Sequence, residues 1–140
     1  MNEPENRPGQ FDLVSWLRSN PVIALVGATN SETKYGNIIY KDLKKKGYQI
    51  FPVNPRATTV DGDRAYHTLE ELHREHPVGL VVYVIPPKYT LENLEQTRDL
   101  GIDKVWIQPG AGDEEVRDYL NRGGYSYLMD ACVMVETLNR

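Results

Sequence analysis

Five runs of hydrophobic residues recur along the chain, at residues 22–26, 48–53, 79–85, 104–108 and 125–129. The first of them, Val-Ile-Ala-Leu-Val, has no polar interruption, and the run from Gly79 is the most strongly apolar of the five. Continuous hydrophobic runs of this length, without alternation, are typical of strands that are covered on both faces in a parallel sheet. The pattern therefore predicts five buried strands.

Segments with helical spacing separate these runs. The spacing predicts helices over residues 35–46, before Gly47, over residues 90–100 with Thr90 as the cap, and over residues 113–121. A capping box at Thr68-Leu69-Glu70-Glu71 predicts a short helix, Asp61-Gly62 predicts a turn, and an amphipathic helix is expected at residues 11–18. A last short helix from about Cys132 would use Val133, Val135 and Leu138. Alternating strands and helices favour a parallel sheet with right-handed crossovers and helices on both faces.

Length and composition limit what else the chain can be. At 140 residues it has room for one domain, which we assign to residues 11–140, after a mobile tail over residues 1–10. No hydrophobic run reaches the roughly 20 residues that cross a bilayer, and the first residues do not resemble a secretory signal. We therefore predict a cytoplasmic protein that does not enter a membrane. The net charge of −4 does not favour nucleic acid as a partner.

The residues that directly follow the first strand point to a phosphate site. Ligands of parallel α/β sheets bind beyond the carboxyl ends of the strands. Gly27, followed by the small residues Ala28 and Thr29, allows close approach of a bound group near a helix N-terminus. The alternative is that Gly27 serves only a tight turn. The loop matches neither Gly-x-Gly-x-x-Gly nor the phosphate loop of nucleotide triphosphatases.

The end of the second strand narrows the choice of nucleotide. An acid at this point holds the ribose hydroxyls of NAD, whereas a phosphorylated ribose is better served by a cation. The strand ends in Asn54-Pro55-Arg56, with no acid. Coenzyme A or NADP is therefore favoured over NAD, unless Arg56 is an ordinary solvated surface charge.

Three motifs at strand ends carry a family resemblance. They are Val26-Gly27-Ala28-Thr29 with Lys34 and Gly36, Pro52-Val53-Asn54-Pro55, and Pro86-Pro87 after the most apolar strand. In this order they resemble the small stand-alone CoA-binding proteins, which are similar to the N-terminal domain of the succinyl-CoA synthetase alpha subunit. The resemblance runs from about Phe11 to the C-terminus. It implies a Rossmann-like three-layer α/β sandwich with a five-stranded parallel sheet, strand order 3-2-1-4-5, that binds coenzyme A.

The resemblance also implies roles for individual residues. The pyrophosphate would lie against Gly27, Ala28 and Thr29, with Lys34 adding positive charge. The adenosine 3′-phosphate end would lie at Asn54, Pro55 and Arg56. An apolar wall beside the adenine or the upper pantetheine would be formed by Ile85, Pro86 and Pro87, and the pantetheine arm would run along Gln108, Pro109 and Gly110.

No catalytic set stands out beside these loops. His67, His73 and His76 cluster around one short helix, away from the predicted ligand edge, and no acid or thiol completes a metal site. Cys132 is either a small buried residue or a thiol that forms a mixed disulfide with the ligand. We therefore predict a non-catalytic carrier or sensor of CoA or acyl-CoA. Two alternatives stay open: a small NADP-dependent oxidoreductase, and a regulatory interaction protein with a vestigial pocket. A homodimer and an unidentified protein partner are also left open.

Overall fold

The computed structural model describes residues 11–140, so the tail predicted over residues 1–10 lies outside the described residues. Strands and helices alternate along the chain, as the hydrophobic pattern predicts. In chain order the elements are α1 (Leu13–Trp16), a 3-10 turn (Leu17–Ser19), β1 (Val22–Val26), α2 (Tyr35–Lys45), β2 (Gln49–Val53), β3 (Thr59–Val60), β4 (Asp63–Arg64), α3 (Leu69–Glu75), β5 (Leu80–Tyr83), α4 (Pro87–Asp99), β6 (Lys104–Ile107), α5 (Glu114–Gly123), β7 (Ser126–Met129) and α6 (Val133–Glu136).

The five long strands form one parallel sheet in the order β2-β1-β5-β6-β7. A parallel bridge between Val53 and Tyr66 adds a short piece of chain beyond β2. If the segment at Tyr66 is counted as the third strand, with β5 and β6 as the fourth and fifth, the strand order is consistent with the expected 3-2-1-4-5. Strand β7 then adds a sixth strand beside β6. Among the five hydrophobic runs themselves, the third lies beside the first rather than beyond the second. Because β5 is buried along its whole length, it requires a neighbour on each side.

Side chains alternate between the two faces of this sheet and build two cores. Ile23, Leu25, Val82 and Trp106 share one core with residues of α1, α2 and α6. The alternate residues of the strands, whose side chains lie on the opposite face of the sheet, form the other core with residues of α3, α4 and α5. The predicted α/β fold of three layers is therefore confirmed.

Helix α4 begins four residues earlier than its sequence predicts, counted from the N-cap. Pro86 is the N-cap residue and Pro87 is the first helical residue, a position where the fixed φ of proline is favourable and its missing N–H costs nothing. Thr90, the predicted cap, is buried in the first turn, where its hydroxyl donates to the carbonyl oxygens of Ile85 and Pro86 at 3.3 and 3.4 Å. The prolines that stop β5 therefore also start the helix.

Two further features differ from the sequence-based expectations. The turn at Asp61-Gly62 joins the two-residue strands β3 and β4, which are too short to leave a hydrophobic pattern. Both turn residues have positive φ, as two-residue hairpin loops require. In α6 only Val133 is buried. Val135 is exposed, and so is Leu138, which lies beyond the end of the helix, so the expected apolar face was wrong for these two residues. Within residues 11–140, no helix has the length and apolar character needed to span a membrane.

The hairpin is attached to α2 by a small polar network. The buried Tyr40 donates its hydroxyl hydrogen to Asp63 at 2.6 Å, and the Lys44 ammonium lies 2.7 Å from the same carboxylate and 3.2 Å from Asp61. The hydrogen bonds from Lys44 and Tyr40 lower the pKa of Asp63 below its ordinary value of 3.8. Burial, reinforced by Asp63, raises the pKa of Tyr40 above 10.0.

We expect the Asp63→Asn variant to lower the free energy of unfolding by about 1 kcal/mol at pH 7, a modest value because the pair is partly exposed. Since the folded-state pKa of Asp63 is lowered, this contribution is complete above the unfolded value and is lost as the pH falls through the folded one. The difference between wild type and variant should therefore shrink from about pH 5 towards pH 3. Urea denaturation at each pH measures it. Asp118→Asn, at an exposed position on α5, is the control, and a difference that stays constant over this pH range would contradict the assignment.

Candidate functional site

A cleft of about 600 Å³ opens at the carboxyl edge of the sheet, above β1, β2 and β5. The strand order reverses at this point, because β2 is added on one side of β1 and β5 on the other. Ligands of open parallel sheets bind at such reversal points. We call this cleft the first cleft. The residues that line it are Val26, Gly27, Ala28, Thr29, Lys34, Val53, Asn54, Pro55, Arg56, His67, Thr68, Leu69, Val84, Ile85, Pro86, Tyr89, Asn93 and Gln96.

A second cleft of about 420 Å³ continues the first towards β6. The two share five residues around the ends of β1 and β5, namely Gly27, Lys34, Val84, Ile85 and Pro86. The second cleft adds Thr33, Tyr35, Gly36, Pro87, Pro109, Gly110 and Ala111. Together the clefts form one extended groove across the sheet edge, long enough to contact the loops after β1, β2, β5 and β6.

The loop between β1 and α2 lies in the middle of the groove and depends on two glycines. Gly27 has a φ of +109°, and a Cβ there would lie 2.8 Å from the Val84 carbonyl oxygen. A Cβ on Gly36 would overlap the carbonyl oxygen of Gly27 itself. Only glycine fits at these two positions, because the start of α2 packs directly on the backbone that leaves β1.

Asparagine side chains hold this loop in place. Asn54 donates to the Ala28 carbonyl oxygen at 2.8 Å, and Asn37 donates to the Thr29 carbonyl oxygen at 3.0 Å. Asn30 contacts the β3–β4 hairpin, through Thr59 and Asp61. The loop carbonyls are thus bound by the protein, whereas within residues 11–140 the N–H groups of Ala28 and Thr29 have no acceptor. This arrangement leaves donors available to an anion.

The electrostatics of the groove also favour an anion. No acidic residue belongs to the lining of either cleft. Lys34 and Arg56 are exposed and form no ion pair with any described residue. Helix α2 begins without a side-chain cap or an acid in its first turn, so its positive dipole end faces the groove near Lys34 unneutralised.

The structure brings together nearly all the residues that sequence and resemblance suggested. Twelve of the thirteen line one cleft or the other, and Gln108 is the exception. Gln108 is buried, accepts the Val133 N–H at 2.7 Å and lies 3.5 Å from the Cys132 sulfur. It therefore fixes the start of α6 instead of facing a ligand. Cys132, half-buried, lines neither cleft.

The histidines separate into two groups. His67 lines the first cleft, so its expected position away from the ligand edge was wrong. His73 accepts the Val78 N–H at 2.9 Å, and His76 stacks on Phe51 with ring centroids 4.6 Å apart. In the described part of the chain no three His, Cys, Asp or Glu side chains cluster as metal ligands would.

Sequence reasoning missed one wall of the first cleft. Tyr89, Asn93 and Gln96 project from α4 at positions i, i+4 and i+7, and Thr68 and Leu69 face them from the start of α3. The helical spacing of the three α4 residues was visible in the sequence, but the side on which α4 packs was not. Polar residues on a helix are ordinarily assigned to solvent.

Comparison with known proteins identifies the family. The family model of the CoA-binding domain matches residues 21–137, which include both clefts and all five parallel strands. The chain belongs to the CoA-binding domain family. This CoA-binding domain is similar to a conserved hypothetical protein of Pyrococcus furiosus, with a TM-score of 0.78, 43% identity, and coverage of 84% of this chain and 99% of that one.

Other relatives include small proteins and parts of larger enzymes. A hypothetical protein of Pyrococcus horikoshii aligns with 97% of this CoA-binding domain and 96% of its own chain, at a TM-score of 0.79 and 29% identity. The alpha subunit of the ADP-forming acetate–CoA ligase II of Pyrococcus furiosus is 35% identical over 86 residues, which are 61% of this chain and 18% of the subunit. The chain thus spans less than a fifth of that ligase subunit.

We expect Gly36→Ala to destabilise this CoA-binding domain by more than about 3 kcal/mol, because the new Cβ meets backbone that has no room to move. Gly101→Ala is the matched control: Gly101 has positive φ but open space around its Cβ, so only the conformational cost of about 1–2 kcal/mol applies. Thermal and urea denaturation compare the two. A Gly36→Ala variant as stable as Gly101→Ala would show that the approach of α2 to β1 is not tight.

Proposed function

We propose that the extended groove binds coenzyme A or an acyl-CoA and that residues 11–140 act as one non-catalytic module that carries or senses it. The observation that carries the proposal is the groove itself: two joined clefts without acidic lining, with two unpaired cations on it. Membership of the CoA-binding domain family supports the same ligand.

The middle of the groove suits a pyrophosphate. Ala28 and Thr29, whose N–H groups have no acceptor in residues 11–140, line the first cleft, the uncapped start of α2 lines the second, and Lys34 lines both. Helix N-termini and free backbone amides bind phosphate without needing further side chains. Asn54 and Asn37 donate to the carbonyl oxygens of Ala28 and Thr29, which reduces the repulsion between those oxygens and an anion.

We assign Arg56 to a phosphate on the ribose. The Asn54 carboxamide oxygen accepts the N–H groups of Arg56 and Ala57 at 2.8 and 3.0 Å, which folds the chain into a tight turn at the end of β2. The guanidinium has no ion-pair partner in residues 11–140 and borders the first cleft. Guanidinium groups bind phosphate through two parallel hydrogen bonds, and we propose that Arg56 binds the ribose phosphate in this way.

The opposite end of the groove fits a long arm that is largely apolar. The second cleft is lined by Ile85, Pro86, Pro87, Pro109 and Ala111, with Gly110 leaving the approach open. Apolar walls with few polar groups suit an extended pantetheine. We assign the thiol end of the ligand to this cleft.

The side chains available for proton transfer favour binding over catalysis. The titratable residues that line the groove are Lys34, Tyr35, Arg56, His67 and Tyr89. Glu71 accepts the backbone N–H of His67 at 3.0 Å, but within residues 11–140 no carboxylate forms a hydrogen bond with its imidazole, the contact that orients a general base. Arg56 and the fold also favour NADP as an alternative ligand, which the following titration distinguishes.

Isothermal titration with CoA, NADP and NAD tests the ligand. We expect CoA to bind most tightly and NAD most weakly, because NAD lacks the phosphate that Arg56 would hold. Flat heats at millimolar CoA would overturn the proposed function. Tighter binding of NADP than of CoA would favour the oxidoreductase alternative.

Lys34→Ala should weaken CoA binding by about 1.5–3 kcal/mol, the size of a charge-assisted hydrogen bond to phosphate. Lys45→Ala is the matched control, because Lys45 is exposed near the other end of the same helix. Equal affinity of the Lys34 and Lys45 variants for CoA, measured by titration, would remove Lys34 from the site.

Arg56→Ala should weaken CoA binding about tenfold while leaving 3′-dephospho-CoA nearly unaffected, because only CoA carries the ribose phosphate. The comparison of two ligands in two proteins isolates this one contact. If both ligands lose affinity equally, Arg56 acts on another part of the ligand.

A further inference from the structure

We infer that the wall of the first cleft formed by α4 binds the nucleobase of the ligand and selects adenine through the side-chain oxygen of Asn93. The inference rests on the proposed function, since it concerns the same groove. It assigns a role to three residues, Tyr89, Asn93 and Gln96, that neither the strand-end motifs nor the family resemblance includes.

The position of this wall identifies the end of the ligand that it meets. Tyr89, Asn93 and Gln96 line the first cleft, which also contains Arg56, and none of the three lines the second cleft with Pro109. Arg56 is assigned to the ribose phosphate. The base attached to the same ribose therefore lies in the first cleft, on the same side of the loop after β1 as Arg56.

The chemistry of the wall suits a flat ring with polar edges. Val53, Leu69 and Ile85 supply apolar surface, and the ring of Tyr89 is half exposed. Asn93 and Gln96 add amide groups along the same helix face. Sites for planar heteroaromatic groups combine an apolar or aromatic surface with a few polar groups at the edge of the ring.

Asn93 presents a fixed acceptor. Its Nδ2 donates to the carbonyl oxygen of Tyr89 at 2.8 Å. A backbone carbonyl only accepts, so this bond sets which way the amide is turned. The remaining polar atom, Oδ1, accepts no hydrogen bond from any of the residues 11–140. A ligand group that meets it must therefore be a donor.

This requirement distinguishes adenine from hypoxanthine, two purines that differ at C6 and in the proton that hypoxanthine carries on N1. Adenine carries an amino group at C6, which donates to Oδ1, whereas hypoxanthine carries an oxygen there, which places two acceptors against each other. Asn93 cannot turn its amide to suit hypoxanthine without losing the bond to Tyr89. An unpaired polar contact of this kind in a partly exposed site costs on the order of tenfold in affinity.

The test compares CoA with its analogue in which hypoxanthine replaces adenine, titrated into the wild-type protein and into Asn93→Leu. We expect wild type to prefer CoA about tenfold, and Asn93→Leu to bind the two ligands with nearly equal affinity. Glu95→Leu is the control, since Glu95 is exposed on α4 outside both clefts and should retain the wild-type preference.

Each outcome decides between the proposals. Equal affinity of wild type for CoA and the analogue overturns the role of Asn93, while CoA binding itself still supports the proposed function. A preference that persists in Asn93→Leu places the selection elsewhere and likewise overturns it. Failure of wild type to bind CoA at all overturns the proposed function, and the base assignment with it. Because the wild-type comparison needs no variant, the test stands even if Asn93→Leu does not fold.

Discussion

The candidate site depends on the close backbone contact between Gly27 and Gly36. The first residues of α2 lie so near the end of β1 that no side chain fits between them. This contact places the N-terminus of the helix over the sheet edge, and it gives the intervening loop a short, fixed path. Asn37 and Asn54 then donate to the carbonyl oxygens of Thr29 and Ala28, while the N–H groups of these two residues have no acceptor in residues 11–140. The proposed binding of phosphate at this site would therefore depend on backbone packing as well as on charged side chains.

The three-layer fold supports this contact from both sides. Ile39, Tyr40 and Leu43 anchor α2 to one face of the sheet, and the polar network of Tyr40, Lys44 and Asp63 attaches the β3–β4 hairpin to the same helix. On the other face, Leu94 anchors α4, so that Tyr89, Asn93 and Gln96 stand beside the groove. Because both helices are held by fully buried side chains, the walls of the groove are preorganised, which reduces the cost of ordering them when a ligand binds.

The proposed ligand interactions differ in kind along the groove. In the proposed complex, backbone N–H groups at its centre donate to any phosphate, whereas Arg56 at one side would require a phosphate on the ribose, and Asn93 would require a donor on the base. The proposal thus assigns non-specific affinity to the loop after β1 and selectivity to the side chains that surround it. The partial match to a ligase subunit shows that a segment similar to this chain also occurs within a larger protein.

Much of the site was evident in the sequence because it lies where strands end. Continuous hydrophobic runs locate the strands, and parallel strands bring the residues after them to one edge, so Gly27, Asn54 and Pro86 could be grouped without coordinates. Tertiary structure decided what depends on packing direction. It turned Gln108 inward to the start of α6, brought His67 into the first cleft, and set the polar face of α4 against the groove. Hydrophobic periodicity states which residues are buried along an element, but only the packing of elements against each other determines what an exposed face meets.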